Sequence, residues 1–124
     1  MSQEQADAFI SALHTLEETG DLEPMVSLYA DDAQLVNPTP VDVDPGPGGA
    51  ERFWRVYRDS FGEIRSEFRQ VLADERGALL EWTSTATLAS DGAAIRYDGV
   101  TALEFSGGKV TRFRAYFDPA DLRS

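Results

Sequence analysis

From Arg65 to Asp118 the chain falls into four runs in which apolar and polar residues largely alternate: RSEFRQVLAD, ALLEWTSTATLA, AAIRYDGVTALEF and KVTRFRAYFD. The breaks between them are DERG, SDG and SGG. A period of two is that of a strand with one buried and one wet face, and short Gly/Asp breaks join such strands as antiparallel hairpins. The last hairpin can be registered. With Ser106-Gly107-Gly108 as a three-residue loop and Gly108 left-handed, Phe105 faces Lys109. One face then pairs Leu103 with Thr111, Thr101 with Phe113, Gly99 with Ala115 and Tyr97 with Phe117. The other pairs Glu104 with Val110, Ala102 with Arg112, Val100 with Arg114, Asp98 with Tyr116 and Arg96 with Asp118. A one-residue slip would mix an apolar face with a charged one. Gly99 opposite Ala115 leaves room that a helix side chain fills, or that forms the floor of a cavity.

The first half reads differently. Ala6, Phe9, Ile10, Leu13 and Leu16 follow the helical period, with Ser2 as N-cap and Gly20 as stop. Asp21 can cap a second helix that carries Leu22, Met25, Val26, Leu28 and Tyr29. AQLVN is a short strand with Ala33, Leu35 and Asn37 on one face. A Pro/Gly-rich loop follows, and a third helix runs from about Gly49 to Phe61 with Phe53, Trp54, Tyr57 and Phe61 on one stripe. The order α-α-β-α-β-β-β-β is an α+β layout in which helices cover one face of a curved antiparallel sheet. Residues 1–124 suit one domain.

Charge narrows the partners. The net charge is -11, and all of it lies in residues 1–51, which hold eleven acids and no Lys or Arg. The bland reading is solubility; the sharper one is an acidic pocket mouth. Either way the surface repels nucleic-acid phosphates and anionic lipid. There is no cysteine, so thiolate metal sites and disulfides are excluded. The absence of a long apolar run or a signal-like start points to the cytoplasm, with no membrane partner. No metal-ligand spacing, nucleotide-binding glycine pattern or nucleophile elbow is present, so neither a metal nor a cofactor is expected.

TGDLEPMVSLYADDAQLVNP (Thr19 to Pro38) and YDGVTALEFSGGKVTRFRAYFD (Tyr97 to Asp118) resemble the nuclear transport factor 2-like superfamily. Within it the chain is most similar to SnoaL-like proteins, ketosteroid isomerases and limonene epoxide hydrolases. The resemblance implies a cystatin-like cone, a curved sheet wrapped on three helices around an internal pocket, and frequent homodimers. Residue by residue, it also implies lost chemistry. The isomerases' Asp base falls at Asn37, whose amide takes up no proton at neutral pH. Their two oxyanion donors fall at Leu13 and Thr101. The epoxide hydrolases' Arg and two Asp fall at Trp82, Ser84 and Ala115, while their water-holding Asn matches Asn37. SnoaL-type cyclases use an Asp and a His, and His14 is the only His in the chain.

Candidate residues follow with their alternatives. Asn37 either bonds the turn before Pro38 or is a polar group of the pocket. His14 is a surface residue or an acid–base group at the pocket rim. Asp98 and Asp118 fall on the charged face as ion-pair or interface residues, unless a bulge turns one inward. Asp42 and Asp44 are solvated loop acids or cation ligands. Trp54, Tyr57, Trp82, Tyr97, Phe113 and Phe117 are core, pocket lining or both, and the two tyrosines are the leading hydrogen-bond donors to a ligand. Ser84, Thr101 and Ala115 share the inward face. The chain is thus expected to bind a small, mostly apolar, neutral molecule, with or without isomerase, cyclase or hydrolase chemistry by a non-standard set. The alternative is a non-catalytic binding or dimerisation module. A homodimer is expected through the outer face, where Val100, Ala102, Val110 and Tyr116 sit among Glu104, Arg112 and Arg114.

Overall fold

The computed structural model describes residues 2–36 and 49–122. Helices α1 (Ser2–Thr19) and α2 (Glu23–Val26) precede strand β1 (Tyr29–Val36) and helix α3 (Gly49–Asp59). Strands β2 (Phe61–Ala73), β3 (Gly77–Leu88), β4 (Ala94–Ser106) and β5 (Lys109–Tyr116) follow, and a 3-10 turn spans Pro119–Leu122. The sheet order is β1-β5-β4-β3-β2, so β1 and β2 are its edges. Strand β1 runs parallel to β5, and every other pair is antiparallel. The sheet is curved and unclosed, as the α+β cone expectation requires.

The helices hold the concave side through one aromatic cluster. Phe9 on α1, Phe53 and Trp54 on α3 and Phe113 on β5 meet with ring centroids 5.1 to 6.1 Å apart. All four are nearly inaccessible, as are Leu16, Met25, Leu35 and Leu80. Helix α1 stops where the glycine demands it: Gly20 has φ 79° and its amide bonds the Leu16 carbonyl at 2.9 Å, a left-handed C-terminal residue.

Several boundaries differ from the expectation. Helix α2 is a single turn, and Tyr29 already belongs to β1. Its apolar residues had matched a longer helix, but a β-strand with the same burial wins once β5 lies alongside it. Phe61 opens β2 rather than closing α3.

The β4–β5 register also differs, by two residues. Thr101 faces Ala115, Leu103 faces Phe113 and Ala102 faces Arg114. Gly107 and Gly108 both have positive φ, 59° and 78°, so the loop is a two-residue turn of the mirror-image class. A bulge then leaves Thr111 extra, because Glu104 pairs with Arg112 while Phe105 pairs with Val110. A shift by an even number keeps each face intact. Beyond the bulge the faces exchange, so Val110, expected on the outer surface, is buried in the core beside Phe105. Gly99 does not oppose Ala115. It faces Trp82, whose ring lies where a Cβ would stand, within 2.5 to 2.6 Å, with the Tyr116 carbonyl 2.7 Å away. A strand side chain fills that room.

Candidate functional site

Inward-facing residues of β2, β3, β4 and β5, with α1 and α3 above them, line a cavity of about 230 Å³. Phe9 and Leu13 come from α1, Trp54 and Tyr57 from α3, and Phe113 and Ala115 from β5. Trp82, Ser84, Tyr97, Thr101 and Phe117 complete the part of the wall expected from sequence. Nine expected residues are therefore brought together: Trp54, Tyr57, Trp82, Ser84, Tyr97, Thr101, Phe113, Ala115 and Phe117. Asn37, Asp42 and Asp44 lie outside the described residues.

Three expected candidates are elsewhere. His14 is half-buried and borders an outer groove, not the cavity. Asp98 is exposed on the convex face, accepting from the Thr83 hydroxyl at 2.6 Å and lying 3.8 Å from Arg69. Asp118 follows the end of β5 and accepts from the Ala120 amide at 3.0 Å, capping the terminal turn. Neither carboxylate turns into the cavity. Among the described residues no group of three or more His, Cys, Asp or Glu side chains could hold a metal ion. No described helix is long and apolar enough to cross a membrane.

Apart from Ser60, whose hydroxyl donates to the Val56 carbonyl at 2.7 Å, the polar groups of the wall fall into two sets. On β4, Thr101 accepts from the Trp82 indole N–H at 2.9 Å. This pair fixes the ring over Gly99. The second set is a row across three strands, in which Ser66 faces Ser84 and Ser84 faces Tyr97. The two serine hydroxyls are 2.6 Å apart. The row is completed by a residue that was not singled out from the sequence. Glu17 on α1 is only 5% exposed, and three donors converge on it. The Ser66 amide reaches Oε1 at 2.9 Å, while the Ser66 hydroxyl at 2.6 Å and the Tyr57 hydroxyl at 2.8 Å both reach Oε2. Such a set suits a carboxylate, which only accepts.

Burial pushes both inner phenols up. Tyr57 is held well above its ordinary value first by loss of solvation, then by the charge of Glu17 and by Tyr97. Burial also raises Tyr97, and Glu17 adds to it. Both phenols stay protonated across the physiological range.

Glu17 and Ser66 stand between two concavities. Ser66 borders the inner cavity and, with Glu17 and His14, the outer groove. Strand β2 is an edge of the sheet, and the main chain of Ser66 turns away from β3. Its N–H is taken by Glu17 and its C=O by His14 Nε2 at 2.9 Å. A carbonyl only accepts, so Nε2 carries the proton. Glu17 was legible in one respect: it lies four residues beyond Leu13, on the apolar stripe of α1. Ser66 shares by alternation the inward face of Ile64 and Phe68.

A SnoaL-like domain model matches residues 7–113. No curated protein matches the chain. Among solved structures, an isomerase candidate from Rhodopseudomonas palustris is 21% identical, with a TM-score of 0.82 over 98% of this chain and 95% of that one. An epoxide hydrolase of M. tuberculosis resembling limonene epoxide hydrolase is 20% identical, with a TM-score of 0.72 over 98% and 87%. A polyketide-cyclase candidate from Acidithiobacillus ferrooxidans is 18% identical, with a TM-score of 0.79 over 96% and 91%. At these identities the structures share the fold. With the domain match spanning most of its length, the chain belongs to the SnoaL-like family.

Proposed function

We propose that the cone cavity binds a small, mostly apolar, uncharged molecule and that the row at its polar end transfers a proton to or from it. The observation that carries this reading is the wall itself, with aromatic and aliphatic side chains around most of the space and most of its hydroxyls gathered near one row. Such a site gains affinity from apolar burial and orientation from a few polar groups. Charged molecules are disfavoured: an anion meets Glu17, and a cation loses its water in an apolar space.

Positions that carry acids or bases in related isomerases and epoxide hydrolases hold Leu13, Thr101, Trp82, Ser84 and Ala115 here. Glu17 supplies a carboxylate from a different place. It is reached through Tyr57, which borders the cavity and donates to it. In the step proposed, Tyr57 takes a proton from the ligand as it passes its own to Glu17. One proton leaves the ligand, Glu17 is neutralised, and Tyr57 is unchanged. The raised phenol favours this relay over a free tyrosinate. Folds similar to this one in an isomerase candidate, a cyclase candidate and an epoxide hydrolase support a reaction of that broad kind.

Trp54 and Trp82 border the cavity and supply the readout. Titration with naphthalene is expected to quench tryptophan fluorescence saturably, and Ala115→Phe, which fills the space, to abolish the effect. Equal quenching in both proteins would defeat the reading. We extend the proposal to a homodimer through the convex face. Leu72 and Leu79 are 59% and 51% exposed and stand in one row with Ala102 and Arg114. A sedimentation mass of 13.7 kDa at micromolar concentration would remove that extension.

A further inference from the structure

A hydroxyl has one proton and two lone pairs, so a chain of hydroxyls ending on a carboxylate has a fixed direction. Glu17 accepts the protons of Tyr57 and Ser66. The 2.6 Å contact between Ser66 and Ser84 then has one possible sense, because the Ser66 proton is already committed: Ser84 donates. Tyr57, Ser66 and Ser84 all border the cavity, and all three spend their protons toward Glu17. They meet the cavity with lone pairs only.

Thr101 stands apart from this chain. Its oxygen takes the Trp82 N–H, and its own proton has no acceptor among the described residues. The wall is therefore polarised, with acceptors at Tyr57, Ser66 and Ser84 beside Glu17 and donors at Thr101 and at the protonated Tyr97 phenol, which lies on the far side of Ser84 from Ser66.

We propose that this polarity selects the ligand: the Glu17 row takes a hydrogen-bond donor, so the molecule bound is uncharged, mostly apolar and carries a hydroxyl, as a phenol, enol or alcohol does. Its O–H is given to Tyr57 or Ser84. A ketone or ether presented to Tyr57 or Ser84 meets lone pair against lone pair. The inference rests on the small-molecule reading above and refines it to a ligand class. Tyr57 was expected to donate to a ligand; the direction imposed by Glu17 makes it an acceptor.

The experiment compares three probes of one shape by isothermal titration: 2-naphthol, 2-methoxynaphthalene and naphthalene. The wild-type chain is expected to bind 2-naphthol about tenfold more tightly than the other two, the size of one well-made hydrogen bond. Glu17→Gln places an amide N–H₂ where an acceptor oxygen stood, so it donates into the row and releases a hydroxyl proton toward the cavity. In that variant the naphthol preference is expected to fall to about twofold or less, or to invert toward the ether. Equal wild-type affinity for all three probes overturns the donor inference while leaving the cavity reading standing. Binding of none of them overturns both. An unchanged preference in a folded Glu17→Gln protein also overturns the inference. If that variant does not fold, Tyr57→Phe and Ser84→Ala each remove one acceptor and are expected to reduce the preference. Retention of the full preference in both defeats the proposal.

Discussion

Glu17 and Glu104 are the same side chain in opposite surroundings. Glu104 lies on the convex face with its side chain 46% exposed, and its Oε2 is 3.4 Å from Arg112 and 3.2 Å from Arg114. Glu17 is buried between the cavity wall and the outer groove, with no cation bonded to it among the described residues, and is held by one amide and two hydroxyls. Outside, water and mobile guanidinium groups screen the charge, and geometry matters little. Inside, a buried charge is tolerable only when fixed dipoles point at it. The same charge then orders every proton around it. The convex carboxylate decorates a surface, whereas the concave one sets the polarity of a wall.

The sharpest way to break this comparison is to remove each carboxylate. Glu17→Ala strips the Ser66 amide and the Tyr57 hydroxyl of their acceptor and opens a void. A loss of about 2–4 kcal/mol is expected, read as a lower urea midpoint at constant slope. A loss below that of Glu104→Ala would show that the inner network contributes nothing special.

The second test is alkaline pH. Tyr57 and Tyr97 are held above the ordinary phenol value in the folded chain, chiefly by burial, while the unfolded chain ionises near pH 10. The unfolded state binds fewer protons there. Stability is therefore whole below about pH 10 and falls as pH rises past it toward the folded values. Melting temperatures between pH 9 and 11 are expected to fall more steeply in the wild-type protein than in Tyr57→Phe or Tyr97→Phe. Parallel curves would contradict the buried placement of the phenols.

A neutral buried pair gives an intermediate case. Thr101→Val keeps the shape but leaves the Trp82 N–H without its partner, at a cost of about 1–2 kcal/mol in the same urea experiment. The smallest effect is expected from Glu104→Ala, below about 1 kcal/mol and shrinking further in 1 M salt.

The sequence disclosed faces better than pairings. Alternation is local, so Tyr97, Thr101, Phe113 and Ala115 could be placed inward without knowing which residue faced which. Register depended on two glycines that both adopt positive φ and on a bulge at Thr111, and neither follows from a period-two pattern. The bulge also carried Val110 inward, past the point where parity protected the assignment. Glu17 stayed hidden for another reason. An isolated acid on a helix is usually solvated, and the donors that make this one different, Tyr57 and Ser66, lie 40 and 49 residues away. The carboxylate at the centre of the site is thus a long-range fact, while most of the wall around it is a short-range one.

The meeting of α1 with Ser66 has a consequence for assembly as well as for the cavity. An edge strand offers its free N–H and C=O groups as a template on which another chain can add. At Ser66 both groups are occupied by side chains three residues apart on a helix: a Glu carboxylate where a neighbouring strand would present its carbonyl, and a His N–H where it would present its amide. Two side chains thus counterfeit one residue of a sixth strand, and the sheet is closed to addition at the point where its edge passes the polar end of the cone.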